Sequence, residues 1–581
     1  MRVLLITTTF LPAYGGVERF LAHLFGERQD IHCDVLTEPG SSVVAGWKLI
    51  RTPLLTGRIR PRWLGTYKSF KHYTEKHDYD VIVLGHYAPY LAAALRCRKL
   101  FGTKVVVITH GMDILSYETA GGLRRRMLVK NLPKADLVVA NSKFTNEHLK
   151  RLGVPESRRV ILTPGAEIPT STLTKLDARK TLNLPPDAFV LLTVGRLVKR
   201  KGHLLAIDAF ASLAQKYGIA HYVVVGRGTE EGNLRARIAK HKLEQRIHLL
   251  NNVEDTDVVY TAADLFVFPS FEGKAGDVEG FGLVSVEAQA HGLPVIASNT
   301  GGIPETIEPG LTGELVEAGE ADEIAKAIEP FLKDPQKLAR YSDRSRHFAK
   351  EAFNWEVRRK RIAELLNIVT TIPKVNIDVV VPAFNAAKTL AQTLTSLQTQ
   401  TLKPRHIIVV DDGSTDDTSE IAKKFNVQLI RQENKGAPSA RNAGFAKTTG
   451  DFVLYCDADV VLQPTMLEKM ARALLLHPEA GYAYSDFKFG WHTFDLFDFD
   501  PERLLKANYI STMSLLRREN CVGFNEDLKR YQDWDLWKRL LAKGVRGIWV
   551  KGRLFNAGFG GISTDSAKDV WKLAKSKFGK Q

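Results

Sequence analysis

The sequence predicts an α/β fold in which three series of strands and helices follow one another. Its apolar segments are short, rich in Val and Ile, and separated by stretches with helical spacing. Such segments are typical of parallel strands that are buried on both faces of a sheet. Polar or glycine-rich residues follow many of them, and the chain of 581 residues is too long for one hydrophobic core.

A short polar stretch with one proline, 371–376, separates two parts of the chain. A helical stretch rich in Arg and Lys, 351–369, precedes it, and a new apolar strand, Ile377–Val381, follows it. Polar stretches of this length with a proline are typical of linkers. We therefore predict α/β domains over 1–170, 171–370 and 377–581, with a closing helix at the end of the second and a linker over 371–376.

The composition is typical of a soluble globular protein, with 44% hydrophobic and 25% charged residues. The sequence has no run of about 18 apolar residues, which a transmembrane helix would need. Pro12 and Gly15-Gly16 follow the N-terminal apolar run, so we expect a buried first strand there and not a signal peptide. The four cysteines are scattered without a Cys-x-x-Cys pair, which favours reduced thiols in a cytosolic protein and disfavours zinc.

The chain carries a formal net charge of +16, which indicates a polyanionic partner. Basic residues are mixed with aromatic or aliphatic ones in three clusters, 58–73, 124–134 and 571–580. This mixture favours peripheral contact with an anionic membrane, and a solvated helix face is the alternative. No nucleic-acid recognition motif is present, so no nucleic acid is expected as a partner.

The first series has apolar strands at 3–7, 34–37, 81–85 and 104–110, and a strand followed by a helix over 137–149. Gly15-Gly16 lies at the first strand-to-helix turn, where glycines let a ligand approach the backbone and the helix N-terminus. His110 ends a strand, at the edge where open α/β sheets bind ligands. Asn141 or Ser142 is the expected N-cap of the later helix.

The second series begins at 189–197 and continues with strands at 221–226, 246–250, 265–270 and 294–298. Gly226-Arg227-Gly228 lacks the third glycine and the later acidic residue of a dinucleotide-binding fingerprint, so NAD is not expected. Arg196 and Lys201 flank a strand-to-helix turn, where two cations can neutralise a diphosphate leaving group without a metal. Lys199 and Arg200 are interpreted as a basic surface turn.

A second polar group in this series combines two glutamates with glycines. Glu279 lies in the glycine-bounded loop Glu279-Gly280-Phe281-Gly282, and Glu287 lies in the helix that follows. The glycines allow close approach of a ligand to the backbone. The carboxylates can accept hydrogen bonds from the hydroxyls of a sugar or a ribose.

Residues 1–370 resemble the retaining GT-B glycosyltransferases of the family-4 type. The resemblance rests on Gly15-Gly16, His110-Gly111, Pro164-Gly165, Gly195-Arg196 with Lys201-Gly202, Pro269-Ser270, and Glu279 with Glu287. It implies that Arg196 and Lys201 hold the nucleotide diphosphate and Glu287 the ribose. It also implies that Glu279, with the backbone of Gly280, Phe281 and Gly282, holds the donor sugar.

The same resemblance implies that His110 supports the reacting sugar and that Gly15-Gly16 lies near the diphosphate and the acceptor. It implies retention of configuration without a metal ion. The lengthened loop 273–277 and Arg227, where an acidic residue is frequent, depart from the pattern and leave the donor open.

The third series places carboxylates after two apolar strands. Asp411 and Asp412 can hydrogen-bond a nucleobase and ribose, with an N-cap cluster around Ser414 or Thr415 as the alternative. Asp457 and Asp459 supply two hard oxygen ligands, which with diphosphate oxygens suit Mg²⁺ or Mn²⁺.

An amphipathic helix begins near Tyr531, and its first turn carries Asp533 and Asp535. Either carboxylate suits the positive end of the helix dipole. The functional interpretation makes one of them the general base that takes the proton from an attacking hydroxyl.

Residues 377–560 resemble the inverting GT-A glycosyltransferases of the family-2 type, through Pro382 with Asn385, Asp411-Asp412-Gly413-Ser414, Arg441-Asn442-Ala443-Gly444, Asp457-Ala458-Asp459 and 522–540. The resemblance implies that Asp411 and Asp412 bind the nucleoside and that Arg441 supports the nucleotide. It implies that Asp459 with Asp457 holds the metal and that Asp533 is the base. Gln532 replaces the usual Glu, and the late His of the pattern is absent.

The combined expectation is a bifunctional enzyme that uses UDP- or GDP-sugars to extend a lipid-linked glycan. The second active site would need Mg²⁺ or Mn²⁺, and the first would need no cofactor. We expect a cytoplasmic protein, peripheral at the inner face of the membrane. The alternatives are one active transferase with a degenerate second domain, and a non-catalytic glycan- or membrane-binding scaffold.

Overall fold

The computed structural model describes residues 1–11, 15–26, 30–38, 47–51, 63–86, 90–115, 122–251, 253, 255–273 and 277–558. The chain divides into two compact units. The first consists of Met1–Val154 with Arg159–Leu366, and the second of Pro155–Arg158 with the chain from Asn367 onward. All four cysteines are free thiols.

The first sheet of the first unit has seven parallel strands in the order β3-β2-β1-β4-β5-β6-β7. They are Arg2–Ile6 (β1), His32–Thr37 (β2), Lys48–Arg51 (β3), Val81–Leu84 (β4), Lys104–Thr109 (β5), Leu137–Ala140 (β6) and Arg159–Ile161 (β7). The helices of this part are Gly16–Phe25 (α1), Trp63–Lys76 (α2), Leu91–Phe101 (α3), Gly122–Asn131 (α4) and Lys143–Arg151 (α5). The apolar residues of β1, β4 and β5 are fully buried, as strands covered on both faces require.

The second sheet of the first unit has six parallel strands in the order β10-β9-β8-β11-β12-β13. They are Phe189–Val194 (β8), Ala220–Val225 (β9), Ile247–Leu250 (β10), Leu265–Phe268 (β11), Val295–Ser298 (β12) and Gly313–Val316 (β13). The helices are Lys175–Thr181 (α6), His203–Ala214 (α7), Glu231–His241 (α8), Thr256–Ala262 (α9), Leu283–Ala290 (α10), Ala321–Lys333 (α11), Pro335–Ala352 (α12) and Trp355–Thr370 (α13). Two hydrophobic clusters pack against its two faces.

The sheet of the second unit is mixed and follows the order β16-β15-β14-β17-β21-β19-β22-β18, with β20 paired to β19. Its strands are Ile377–Ala383 (β14), His406–Asp411 (β15), Gln428–Arg431 (β16), Phe452–Tyr455 (β17), Val460–Leu462 (β18), Ala480–Phe489 (β19), His492–Phe494 (β20), Leu515–Arg517 (β21) and Arg546–Ala557 (β22). The helices are Leu390–Gln398 (α14), Thr418–Lys423 (α15), Ala437–Phe445 (α16), Met466–Leu476 (α17), Pro501–Lys506 (α18) and Gln532–Ala542 (α19). The first four strands are parallel, and β21 then runs antiparallel to β17.

Each sheet has a point at which the strand order reverses direction: between β1 and β4, between β8 and β11, and between β14 and β17. The loops that leave adjacent strands at such a point diverge to opposite sides of the sheet. They leave a crevice at the carboxyl ends of the strands, where ligands of open α/β proteins bind. In each case a predicted functional residue follows one of these strands, namely Gly15 after β1, Arg196 after β8 and Asp457 after β17.

The predicted strands are present, with ends that differ by one or two residues. The sequence reasoning missed the strands β3, β7 and β13 of the first unit, and β16 and β18–β22 of the second. The predicted helix 351–369 is instead the end of α12 and the separate helix α13. Asn354 starts α13, because its Oδ1 accepts a hydrogen bond from the backbone N–H of Glu356 at 2.7 Å. Within the described residues, no helix combines the length and the apolar character that a membrane crossing needs.

Two alternatives about helix caps are resolved. Ser142 caps α5, because its Oγ accepts a hydrogen bond from the backbone N–H of Thr145 at 3.0 Å. The interpretation of Ser414 or Thr415 as a cap is wrong, since α15 begins at Thr418, after Asp417.

Candidate active sites

The glycine turn after β1 sets α1 against α10. Gly15 is the N-cap of α1 and Gly16 its first residue. A Cβ atom on Gly16 would lie 3.4 Å from Cδ1 of Leu283, the first residue of α10. The N-terminal end of α1 therefore lies against an element of the second sheet, so the two crevices of the first unit adjoin one another.

The loop that carries Glu279 contacts the loop that carries His110. A Cβ atom on Gly280 would lie 2.3 Å from the carbonyl oxygen of His110, and one on Gly111 would lie 2.7 Å from Cα of Gly280. Gly111 also has φ of +92°, a conformation that favours glycine. Both glycines are required for this approach, which brings together the two backbone segments that carry Glu279 and His110.

Glu279 is held by two cations. Lys201 Nζ lies 2.5 Å and Arg200 Nη1 lies 2.7 Å from its Oε2. Arg200 Nε is also 2.8 Å from Oδ1 of Asp277. Burial opposes ionisation of Glu279, but the charges of Lys201 and Arg200 outweigh it and lower its pKa to about 2. Glu279 is therefore ionised throughout the physiological range.

The interpretation of Arg200 as a surface residue is wrong, because only 8% of its surface is exposed. Arg196 is exposed, and its backbone carbonyl accepts from Nε2 of His203 at 3.1 Å. Burial, and then the charges of Arg200 and Arg196, lower the pKa of Lys201, while Glu279 opposes them. Three cations thus gather at the crevice between β8 and β11, which suits an anionic ligand.

Glu287 is fixed by two residues that the sequence reasoning missed. Arg19 Nη2, on α1, lies 3.0 Å from its Oε1, and the hydroxyl of Tyr260 donates to its Oε2 at 3.1 Å. A cavity of ≈ 420 Å³ opens beside these three residues. Its size is within the range of small-ligand sites. Arg19 lies four residues after Gly15, on the helix that follows the predicted glycine turn. This position was the one sign in the sequence that Arg19 belongs to the site.

His110 is a half-buried, neutral imidazole. Its Nε2 lies 3.1 Å from the carbonyl oxygen of Gly85, which accepts only, so Nε2 carries the proton and Nδ1 is an acceptor. Burial, and then the neighbouring His86, lower its pKa to about 3. A role of His110 in supporting the reacting sugar stays a prediction.

In the second unit, Asp411 and Asp412 accept hydrogen bonds from the chain itself. Asp411 accepts from the Ser414 backbone N–H at 2.9 Å and from the Ser419 hydroxyl. Asp412 accepts from the backbone N–H groups of Lys435 at 2.9 Å and Gly436 at 2.8 Å. Both carboxylates organise the loops at the end of β15, and nucleoside binding by them stays a prediction.

Asp457 and Asp459 follow β17, at the crevice between β14 and β17. Arg441 Nη2 lies 2.8 Å from Oδ1 of Asp457, and the hydroxyl of Thr512 donates to Oδ2 at 3.3 Å. Burial, and then the charge of Asp457, raise the pKa of Asp459 to about 6.

This pair fits a divalent cation. A raised pKa indicates that the ionised form of Asp459 lacks a nearby positive charge, and a metal ion would supply one. Within the described part of the chain, no group of three or more His, Cys, Asp or Glu is placed to hold a metal. Mg²⁺ commonly takes one or two carboxylates and completes its shell with substrate phosphates and water, so two are sufficient.

Gln532 connects the start of α19 to this site. Its Oε1 accepts from Arg441 Nη1 at 2.8 Å, and its Nε2 donates to the carbonyl of Leu528 at 2.9 Å. The second contact needs an amide donor, which the usual Glu lacks. Asp457, Arg441 and Gln532 therefore form a chain of contacts that ends one residue before Asp533.

Asp533 and Asp535 have different surroundings. Asp535 Oδ2 is paired with Arg539 Nε at 2.7 Å, whereas Oδ1 of Asp533 accepts from the backbone N–H of Trp534 at 2.9 Å. Tyr531, just before the helix, has φ of +59°, which is strained for a bulky residue and typical of functional sites. Asp533 is thus the better candidate for a base, as the resemblance implied.

Three segments match known families. Residues 14–168 match Glycosyltransferase Family 4, residues 174–348 match Glycosyl transferases group 1, and residues 378–521 match Glycosyl transferase family 2. The amylovoran biosynthesis glycosyltransferase AmsK of Erwinia amylovora is 30% identical over 289 residues, which are 48% of this chain and 68% of that protein. The chain belongs to the glycosyltransferases.

Two further relatives match the first unit of this glycosyltransferase. A GDP-mannose-dependent alpha-(1-6)-phosphatidylinositol monomannoside mannosyltransferase of Mycolicibacterium smegmatis is 27% identical over 383 residues, which are 63% of this chain and 98% of that protein. The crystal structure of Anabaena Alr3699/HepE in complex with UDP and glucose has a TM-score of 0.55 and 25% identity, and it covers 63% of this chain and 99% of its own. The glycosyltransferase is therefore a fusion of a GT-B fold with a family-2 GT-A domain, as the sequence predicted.

Proposed function

We propose that the glycosyltransferase is bifunctional, with a retaining, metal-independent first site and an inverting, metal-dependent second site. The observation that carries the proposal is the difference between the two crevices. One gathers Arg196, Arg200 and Lys201. The other presents Asp457 and Asp459. Fixed cations and a carboxylate-bound metal ion are two ways to neutralise the same diphosphate leaving group.

At the first site, Lys201 and Arg196 would bind the diphosphate and Glu287 the ribose hydroxyls. Lys201 and Arg200 hold Glu279 ionised, and this carboxylate would accept hydrogen bonds from the donor sugar. His110 is neutral, so its Nδ1 lone pair would also accept a hydrogen bond from the sugar. Neutral and ionised acceptors held in place in this way orient the sugar before the reaction begins.

At the second site, Asp459 and Asp457 would hold Mg²⁺ or Mn²⁺, which would neutralise the charge of the departing diphosphate. Arg441 orients Asp457 through the contact at 2.8 Å. Asp533 would accept the proton of the attacking acceptor hydroxyl, as an in-line displacement with inversion requires. The backbone N–H of Trp534 holds Oδ1 of Asp533 in place.

Donors and acceptors are proposed from the relatives. One relative uses GDP-mannose and a phosphatidylinositol mannoside, and another binds UDP and glucose. We therefore propose a UDP- or GDP-sugar donor and a lipid-linked glycan as the acceptor. Because both domains are on one chain, the product of one site is at high effective concentration near the other.

Contact with the inner face of the membrane is supported by the surface of α3 and α4. Leu100, Met127 and Val129 are 55%, 40% and 41% exposed. Arg98 Nη1, on α3, donates to the carbonyl of Lys134 at 2.5 Å. Lys134 lies in the turn directly after α4, so this hydrogen bond connects α3 to the C-terminal end of α4. Exposed cations accompany the apolar residues on α4, namely Arg125, Arg126 and Lys130. The predicted basic positions 58–62 and 571–580 lie outside the described residues.

The test is product analysis with single-site variants. Glu279→Ala should abolish one linkage and Asp533→Asn the other, when a panel of UDP- and GDP-sugars is incubated with alkyl glycosides and products are identified by mass spectrometry. Mn²⁺ with and without EDTA separates the metal-dependent linkage. If one change removed both linkages, the sites would not be independent. If wild type forms only the metal-independent linkage, the second domain is inactive. The presence of Gln532, where the family-2 pattern usually has Glu, favours this alternative.

A further inference from the structure

The crevice between β1 and β4 contains a polar cluster that the proposed donor site does not use. Thr7 and Thr9 follow β1, Glu18 lies in the first turn of α1, and His86 follows β4. Thr7 is fully buried, and Glu18 is 9% exposed. The ring of His86 lies 6.3 Å from that of His110, between centroids. The cluster is thus adjacent to the residue proposed to support the donor sugar.

Hydrogen bonding assigns the tautomer of His86. The hydroxyl of Thr7 donates to the carbonyl oxygen of Thr9 at 2.8 Å, and Oγ1 of Thr7 also lies 2.8 Å from Nδ1 of His86. A threonine hydroxyl has one proton, and the carbonyl oxygen can only accept it. Thr7 Oγ1 must therefore accept from Nδ1–H of His86. The Nε2 atom of the neutral ring is left with a lone pair.

Glu18 supplies a negative charge beside this ring. Its Oε1 accepts from the hydroxyl of Thr9, and none of the ion pairs in the described part of the chain involves it. Burial lowers the pKa of His86, and the charge of Glu18 opposes this change. When the imidazole accepts a hydrogen bond from a hydroxyl, it gains partial positive charge. A carboxylate at this position stabilises that charge.

We propose that Nε2 of His86 accepts a hydrogen bond from the attacking hydroxyl of the glycan acceptor at the first site. Thr7 and Glu18 are positioning residues that act through His86. The cluster occupies the reversal point of the first sheet, as the proposed donor residues occupy that of the second, and the glycine contacts between Gly111 and Gly280 bring the two crevices side by side. The inference rests on the proposed glycosyl transfer at the first site and identifies the residue that receives the acceptor.

Two substitutions of His86 separate the two ring nitrogens. In His86→Asn, the amide nitrogen lies where Nδ1 was, so the bond to Thr7 is retained and the Nε2 acceptor is lost. In His86→Gln, an amide oxygen can lie near the former Nε2. We expect Asn to raise the KM for an alkyl glycoside acceptor by roughly tenfold or more and to change the KM for the nucleotide sugar much less. Gln should recover part of this loss, and His347→Asn, on the exposed face of α12, is the matched control.

A second measurement does not depend on activity. In ¹⁵N-histidine-labelled protein, the resonances lost in His86→Asn should report a proton on Nδ1, and Thr7→Val should abolish that preference. A proton on Nε2, or an unchanged acceptor KM in His86→Asn while wild type transfers sugar, would overturn the proposal alone. Failure of wild type to transfer to any glycoside from the first site would instead overturn the proposed function, and the acceptor role with it.

Discussion

Arg200 offers the most direct test of how the donor site is built. Arg200→Ala removes a guanidinium that is 8% exposed and contacts two carboxylates, Glu279 at 2.7 Å and Asp277 at 2.8 Å. Glu279 keeps Lys201 as a partner in this variant. Removing the Arg200–Glu279 contact should therefore lower the free energy of unfolding by an amount near the lower end of the range for a charged hydrogen bond, about 1.5–3 kcal/mol. Asp277 is 43% exposed, and its ion pair contributes about 0–1 kcal/mol.

These contributions give a total near 2 kcal/mol, or roughly 4–8 °C in Tm for a domain of 150–250 residues. We expect this decrease in thermal unfolding followed by near-UV circular dichroism. Donor hydrolysis at the first site should fall as well, because Glu279 loses one of the two groups that orient it.

Lys199→Ala is the matched control, since Lys199 is the exposed neighbour on the same turn. A surface substitution of this kind is expected to change stability by less than about 0.5 kcal/mol. If the two variants unfolded at the same temperature, Arg200 would not form a stabilising buried ion pair, and the account of how Glu279 is held would be refuted.

Three further predictions concern the two sites. The raised pKa of about 6 leaves Asp459 protonated at lower pH. Mn²⁺ should therefore raise the Tm of the protein at about pH 7.5 and much less at about pH 5. An equal increase in Tm at both pH values, or the same increase in Asp459→Asn, would contradict the assignment of Asp459 as a metal ligand. Gly280→Ala places a Cβ 2.3 Å from a carbonyl oxygen of the facing loop, so donor hydrolysis at the first site should be lost, whereas Gly232→Ala, where nothing lies within 4 Å, should be active. Tyr260→Phe removes one donor to Glu287 and should weaken UDP or GDP binding by roughly 1 kcal/mol in calorimetry, and unchanged binding would argue against Glu287 as the ribose ligand.

Local patterns predicted the central parallel strands of all three sheets. The central strands are continuous apolar runs because they are covered on both faces, and this property is visible in a single sequence. In the third sheet, β16 and β18–β22 were not predicted, and β19 and β22 among them have 10 and 12 residues. The missed strands β3, β7 and β13 of the first unit lie at or near sheet edges and have three or four residues each. Their short, partly polar sequences do not differ from those of loops.

The site residues that were missed depend on contacts between distant parts of the chain. Arg200 and Glu279 are separated by 79 positions, so no local pattern indicates that the guanidinium is buried. Arg19 lies in α1, beside the first sheet, and Glu287 lies in α10, beside the second. His86 follows an apolar strand as His110 does, and this signal was available in the sequence. The position of His86 at a reversal point depends on the strand order, which the sequence alone does not show.

The longest strand of the third sheet has a practical consequence for protein engineering. The family-2 match ends at residue 521, but β18 follows the loop that carries Asp457 and Asp459, and its one partner strand among the described residues is β22. The backbone N–H of Gly558 also donates to the carbonyl oxygen of Asp459 at 3.0 Å. A shortened chain that stopped at the end of the homologous segment would leave that loop attached on one side only. An isolated version of this domain should therefore extend at least through Gly558.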